Sequence, residues 1–188
     1  MSHVSFSARH EAAHAVVAIY LGLSISKVTI ESSVMGNYLA GGCVLFNGLP
    51  ETATDVDCRF RHMQLLVTLV APRVDAARHP VTGEMPNVAY ASDDELFVQL
   101  SAELGIPDEQ LRSWREWITS YASAILALPH VEDAIDAVAK ELGKSTIVPP
   151  DMVRNILSLY EGGYPASVLV PHLPEWPPTQ DNGFYVDP

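Results

Sequence analysis

One helix-length stretch constrains this chain more than any other. It is "ARHEAAHAVVAIYLG", residues 8–22, in which apolar residues cover nearly every face of a helix. Ser7 is a favourable N-cap and Gly22 a favourable C-cap, so the stretch predicts a helix that is buried on most sides. That helix nevertheless carries three polar side chains that can bind a metal ion or transfer a proton: His10, Glu11 and His14.

The spacing of these three residues points to a metal ion. His10 and His14 are four positions apart, so their rings project from the same face of an α-helix and can bind one ion between them. Glu11 is close enough to meet a water on that ion without binding the ion itself. This His-Glu-x-x-His pattern is typical of zinc hydrolases, in which the glutamate is the general base. Because burying three polar side chains without a shared partner costs free energy, a metal explains them better than separate core positions do.

A catalytic zinc ion normally has three protein ligands, so a third is needed. The residues alone leave it open between carboxylates and the histidines downstream of the motif: His62, His79, His130 and His172. Among the carboxylates, "ASDDEL" places Asp93 and Asp94 at a predicted helix N-terminus. Acidic residues are common there because they stabilise the helix dipole, which accounts for the pair equally well without a metal.

Composition and charge narrow the functional classes. The chain has 188 residues, 48% of them hydrophobic, which suits one folded domain with a substantial core. Its formal charge of −12 opposes nucleic acid or an anionic membrane as a partner. We find no secretory signal and no apolar segment long enough for a membrane span. Cys43 and Cys58 are too few for a disulfide framework, so we expect a cytoplasmic protein.

The rest of the chain predicts mainly α-helices with a small β-sheet, an α+β fold. "SKVTIE" alternates as a half-buried strand does, and "CVLF" forms a second strand. Pro72 is expected to kink or interrupt one helix, and a Ser92–Glu95 capping box to open the next. Helical patterns cover about residues 56–77, 92–104, 107–128, 131–143 and 150–160. We expect one domain over residues 1–162 and a proline-rich extended tail over residues 163–188.

The chain resembles the FtsH-type zinc metalloprotease domain, the peptidase half of the membrane-anchored AAA proteases. "HEAAHAVVAIYLGLSISKVTI" is similar to that family's active-site helix and following strand. "LLVTLVAPRVDAA" lies at the place of its Leu-x-Gly-Arg-x-Ala-Glu helix, and "ASDDEL" at its Ala-Ser-Asn-Asp-Leu segment. The resemblance spans about residues 7–160. It implies a zincin-like helix on which Glu11 is the general base, with His10, His14 and Asp94 as Zn²⁺ ligands and Asp93 as the alternative third ligand.

Some residues depart from the family pattern. Ala13 and Pro72 each stand where the family has glycine, and the Ala-Glu pair of the second segment is absent, with Asp75 nearby. The segment "GKST" at residues 143–146 lacks both the first glycine and the preceding strand of a phosphate-binding loop, so we expect no ATPase module here. Without such a module, we expect a peptidase that works without ATP on its own.

The sequence thus predicts a zinc metallopeptidase that cleaves flexible or unfolded chains. An extended substrate is expected to add as a strand along residues 39–46. Two alternatives stay open: a weak or inactive zinc-binding domain that acts as a binding or regulatory module, and a zinc hydrolase of non-peptide amides. The tail is expected to cover its own domain, or to bind a partner protein or a second copy of the chain.

Overall fold

A computed structural model describes residues 5–31, 33–35, 38–40, 43–46, 55–80 and 90–163. These residues form a mainly helical fold with a small antiparallel sheet, which confirms the expected α+β class. The helices are α1 (Phe6–Tyr20), α2 (Asp55–Arg78), α3 (Ala91–Glu103), α4 (Leu111–Leu126), α5 (Pro129–Ser145) and α6 (Pro150–Glu161), with a 3-10 turn at Asp108–Gln110. The strands are β1 (Ile25–Thr29), β2 (Ser33–Met35), β3 (Tyr38–Ala40), β4 (Cys43–Phe46) and β5 (Ile147–Val148). The predicted tail, from residue 164 onward, lies outside the described residues.

Helix α1 lies at the centre of the core, as its apolar sequence predicts. Residues 12–18 are all buried, and the helix packs against α2, α5, α6 and β1. It begins earlier than expected because Ser5, and not Ser7, is the N-cap: the Ser5 hydroxyl accepts the Ala8 amide at 3.2 Å. Gly22 follows the helix with a φ of 81°, a left-handed conformation that favours glycine.

The three-stranded sheet has the order β4-β1-β5, and both pairings are antiparallel. Val28 of β1 pairs with Val44 on one side and with Val148 on the other. β2 and β3 form a separate antiparallel pair. The small sheet is therefore confirmed, and the predicted strand "CVLF" is β4. The strand expected to receive substrate around residues 39–46 is, however, not one element. That segment is divided between β3 and β4, of which β4 is an outer strand of the larger sheet.

Several helix boundaries differ from the predictions because packing outweighs the local signals. Helix α2 runs without interruption through Pro72. The Ser92–Glu95 capping box does not form, since α3 already begins at Ala91 and Ser92 lies inside its first turn. The next predicted helix is divided into the 3-10 turn and α4, and α5 extends beyond its predicted end to Ser145. The elements exist as predicted, while their ends depend on tertiary contacts.

A buried ion pair joins the motif-bearing helix α1 to α2. Nε and Nη2 of Arg9 donate to the two carboxylate oxygens of Asp75 at 2.6 and 2.8 Å. Nη1 of Arg9 donates to Asp136 of α5. The side chains of Arg9 and Asp75 are only 13% and 5% exposed, so the Asp75 carboxylate is largely shielded from water and Arg9 is its main compensating charge. The network therefore links three helices near the start of α1.

Asp75→Ala is expected to lower the free energy of unfolding by about 3 kcal/mol, because it leaves the Arg9 charge buried without its main partner. Asp136→Ala is the matched control. The Asp136 side chain is 47% exposed, and its loss should cost about 1 kcal/mol or less. Urea unfolding of both variants measures the difference. Equal losses would show that the buried pair contributes no more than the exposed one.

Candidate metal centre

Three side chains converge at one point between α1 and α3. His10 and His14 project from the same face of α1, and their Nε2 atoms lie 3.2 Å apart. Oδ2 of Asp93, in the first turn of α3, lies 3.3 Å from each of these nitrogen atoms. The four-residue spacing on α1 brings the two rings together, and the packing of α3 adds the carboxylate.

The separations of these three atoms match a tetrahedral zinc site. Zinc bonds to nitrogen and oxygen are about 2.0–2.1 Å long, so two ligand atoms of a tetrahedral ion lie about 3.3–3.4 Å apart. The observed separations are 3.2, 3.3 and 3.3 Å. Oδ2 of Asp93 is also buried, and its nearest polar neighbours are the two imidazole nitrogens, so the carboxylate needs a positive charge beside it, either a protonated histidine or a metal ion. The residues therefore fit a zinc ion with three protein ligands and one open position.

The structure corrects which of the two aspartates, Asp93 or Asp94, lies at the position of the third metal ligand. Asp94, the third ligand implied by the family resemblance, accepts hydrogen bonds from Arg73 at 2.7 Å and from Arg115. Asp93 occupies the position beside the imidazoles. Successive residues of an α-helix point about 100° apart, so only one of the two adjacent aspartates can face α1.

The other candidate histidines do not join this group. Three of them contact residues outside the centre: His62 lies against Glu103, His79 against Glu132, and His130 against the ring of Tyr20. His172 falls outside the described residues. Within the described ranges, the group with metal-binding geometry is His10, His14 and Asp93.

Burial and neighbouring charges set the protonation states of the centre. Burial lowers the pKa of His14, but the attraction of the Asp93 carboxylate outweighs burial and raises that pKa to about 9. Burial raises the pKa of Asp93, yet the two histidines hold it well below its usual range. For His10 burial dominates, so its pKa is lowered. At neutral pH a proton on His14 therefore balances Asp93 in the metal-free centre, and a divalent cation would replace that proton.

Glu11 is buried beside this group without belonging to it. The residue is 6% exposed. Burial raises the pKa of its carboxyl group to about 7, although the nearby His14 opposes the shift. A carboxyl group with a pKa near neutrality is well matched to accepting and returning a proton at that pH. The motif therefore has a buried acid within electrostatic reach of His14 and Asp93.

Residues that the sequence did not single out hold the two rings in place. Nδ1 of His14 lies 2.9 Å from the backbone oxygen of Thr68 in α2. The rings of Phe6 and Tyr90 contact His10, with centroids 5.7 and 5.3 Å from that of the imidazole. The Thr68 contact is made by a backbone atom and the other two by common core side chains, so the sequence carries no distinctive signal for them.

A cavity of about 240 Å³ adjoins the centre and shares Asp93 with it. Its walls come from α2, α3 and α4 and are mainly apolar, with Leu69, Val70, Val74 and Phe97 among them. Arg73 and Arg115 also line it, and both are already bound to Asp94. The cavity thus provides mainly apolar space for a side chain next to the metal-binding atoms.

Comparison with known proteins assigns this chain to no family. No protein-family model matches the chain, and no curated protein matches it in sequence. Within the described part of the chain, none of the helices combines the length and apolar character needed to cross a bilayer. The chemical interpretation of the centre therefore depends on its residues and their geometry.

Proposed function

We propose that this chain is a zinc-dependent metallopeptidase in which His10, His14 and Asp93 bind the metal ion and Glu11 is the general base. The observation that carries the proposal is the convergence of three ligand atoms at zinc-like separations beside a buried acid that is not a ligand. The proposal keeps the role of Glu11 and both histidines from the sequence and replaces Asp94 with Asp93.

Each residue has a distinct task. A bound zinc ion supplies a Lewis acid that lowers the pKa of water and polarises a carbonyl group. Glu11 would accept the proton of the attacking water and return it to the leaving amine, the role of a general base. His14 is oriented by the Thr68 carbonyl, and Asp93 supplies the negative charge that favours a cation at this position.

Flexible or unfolded chains are the substrate class that suits this centre. His10, Glu11 and His14 are each less than a tenth exposed, so only an extended backbone can bring a peptide bond to them. The outer strand β4 offers an edge at which such a backbone can add by main-chain hydrogen bonds. The adjoining apolar cavity suits an apolar side chain next to the scissile bond.

One observation favours a second candidate function, a zinc-binding module with little or no catalysis. Asp75 is the acid nearest in sequence to the glutamate that the resembling family has in its second segment. In this structure the Asp75 carboxylate pairs with Arg9, whereas the acid grouped with His10 and His14 is Asp93. If that glutamate supports catalysis by orienting a metal ligand, this chain does not provide the same support.

We also propose the partners and the cellular compartment of this chain. The proline-rich tail, proposed to bind a partner protein or a second copy of the chain, lies outside the described residues. The charge of −12 argues against nucleic acid as a partner. The cytoplasm is the proposed compartment, because the chain has only two cysteines and Cys58 is a free thiol.

Metal analysis combined with a peptidase assay tests the proposed function. The purified protein is expected to contain zinc at a one-to-one ratio and to cleave a labelled unfolded polypeptide. A zinc chelator should reduce cleavage to background, and added zinc should restore it. The same polypeptide sequence presented in a stably folded protein is the control and should resist cleavage. Chelator-resistant cleavage, or zinc at far less than one per chain, would contradict the proposal.

A further inference from the structure

Helix α2 contains a backbone carbonyl that lacks its usual partner within the helix, the amide hydrogen four residues later. In an α-helix the amide of each residue donates to the carbonyl four residues earlier, so the amide at position 72 would donate to the oxygen of Thr68. Position 72 is a proline, which has no amide hydrogen. The Thr68 oxygen is therefore released from the regular hydrogen-bond ladder although α2 continues through this turn.

This released carbonyl is the one that contacts the metal centre. Nδ1 of His14 lies 2.9 Å from the Thr68 oxygen. A carbonyl oxygen only accepts, so Nδ1 carries the hydrogen, and Nε2 is the nitrogen directed at His10 and Asp93. Metal-binding histidines are commonly oriented by such a hydrogen bond from their other ring nitrogen.

Water and the threonine side chain do not replace this contact. Thr68 is fully buried, His14 is 6% exposed, and Pro72 is buried as well. The Thr68 hydroxyl donates to the Gln64 carbonyl at 2.9 Å within α2, so it is engaged elsewhere. The hydrogen bond from Nδ1 that orients the His14 ring is therefore made to the backbone oxygen of Thr68.

We propose that Pro72 is a positioning residue of the metal centre: because it has no amide hydrogen, it keeps the Thr68 carbonyl available to orient His14 for metal binding. The inference rests on the proposed zinc site but does not require peptidase activity. It assigns a role to a proline that, from the sequence alone, is only a helix breaker. An amide at position 72 would donate to the same oxygen, and because the two lone pairs of a carbonyl would then be shared between two donors, the hydrogen bond to His14 would weaken.

Pro72→Ala tests this directly, because it restores the competing amide. The zinc affinity of the variant is expected to fall by about 10-fold, the lower end of the effect of losing such an orienting partner. The metal-free variant is expected to melt at a higher temperature than the parent, since alanine is a far better residue than proline inside a helix. A merely structural role for Pro72 would move the melting temperature and the affinity in the same direction. Pro150→Ala, at the first position of α6 and outside the metal centre, is the matched control and should leave zinc affinity unchanged.

A second variant separates the missing hydrogen from the proline ring. Lactic acid, the α-hydroxy analogue of alanine, introduced at position 72 removes both the ring and the amide hydrogen. It is expected to keep the parent's zinc affinity. A loss equal to that of Pro72→Ala would overturn the proposal, because the ring and not the absent donor would then be responsible.

Nitrogen-15 NMR of the His14 ring in the metal-free protein gives a readout that needs no zinc. The parent and the lactic acid variant should both show a protected Nδ1 hydrogen, and Pro72→Ala should show it exchanging faster with solvent. Unchanged protection in Pro72→Ala would overturn the proposal. If the parent bound no zinc, the proposed function would fail, while this measurement would still decide whether Pro72 frees the carbonyl for His14.

Discussion

Replacing Glu11 with glutamine is expected to lower the turnover of an unfolded polypeptide by at least about 100-fold, the lower end of what a positioned general base contributes. Zinc content should stay at the level of the unmodified protein, because Glu11 lies beside the metal-binding atoms and not among them. Glutamine has nearly the same size as glutamate and is neutral, so it is tolerated at a buried position whose carboxyl pKa is raised by burial. Steady-state kinetics and metal analysis on the same preparation measure both effects.

Glu103→Gln is the matched control for this variant. Glu103 is exposed at the end of α3 and lies against His62, outside the centre, so its substitution should leave turnover unchanged. Full turnover in Glu11→Gln would exclude Glu11 as the base. If the zinc-loaded parent protein itself cleaves no polypeptide, the zinc-binding module becomes the better account of this chain.

Asp93→Ala is expected to lower zinc affinity by more than about 100-fold, since loss of a partner that only orients a ligand already costs about 10–100-fold. Asp94→Ala is expected to keep the affinity within a few-fold of the parent, because Asp94 binds Arg73 and Arg115 and not the histidines. The two aspartates are adjacent in the first turn of α3, so both variants lose a similar favourable interaction with the helix dipole. The helix dipole therefore does not account for a difference in zinc affinity between them. Competition with a chelator of known affinity measures that difference.

The opposite order of zinc affinities in these two variants would also identify the third ligand. Loss of zinc in Asp94→Ala with retention in Asp93→Ala would support the assignment implied by the family resemblance and would contradict the side-chain arrangement seen here. A similar loss in both variants would indicate that the first turn of α3 is disturbed as a whole. Circular dichroism of the metal-free variants distinguishes that case, because a disturbed turn would lower helix content.

The sequence by itself determined the part of the centre that lies on one helix. Residues four apart on an α-helix share a face whatever the helix packs against, so the pairing of His10 with His14 followed from their spacing. The buried state of α1 followed from its apolar residues, because no face of it is polar enough to meet water. The mainly helical fold class followed in the same way from the periodicity of the other segments.

Only the tertiary structure decided what completes the centre. Asp93 and Asp94 share one local signature, and the rotation of α3 about its axis, set by buried residues such as Phe97 and Leu100, determines which of them faces α1. Pro72 predicted a kinked or interrupted helix, whereas packing kept α2 continuous and brought the Thr68 carbonyl to His14. Both outcomes depend on how helices far apart in sequence pack together, and the spacing of residues within one helix contains no information about that.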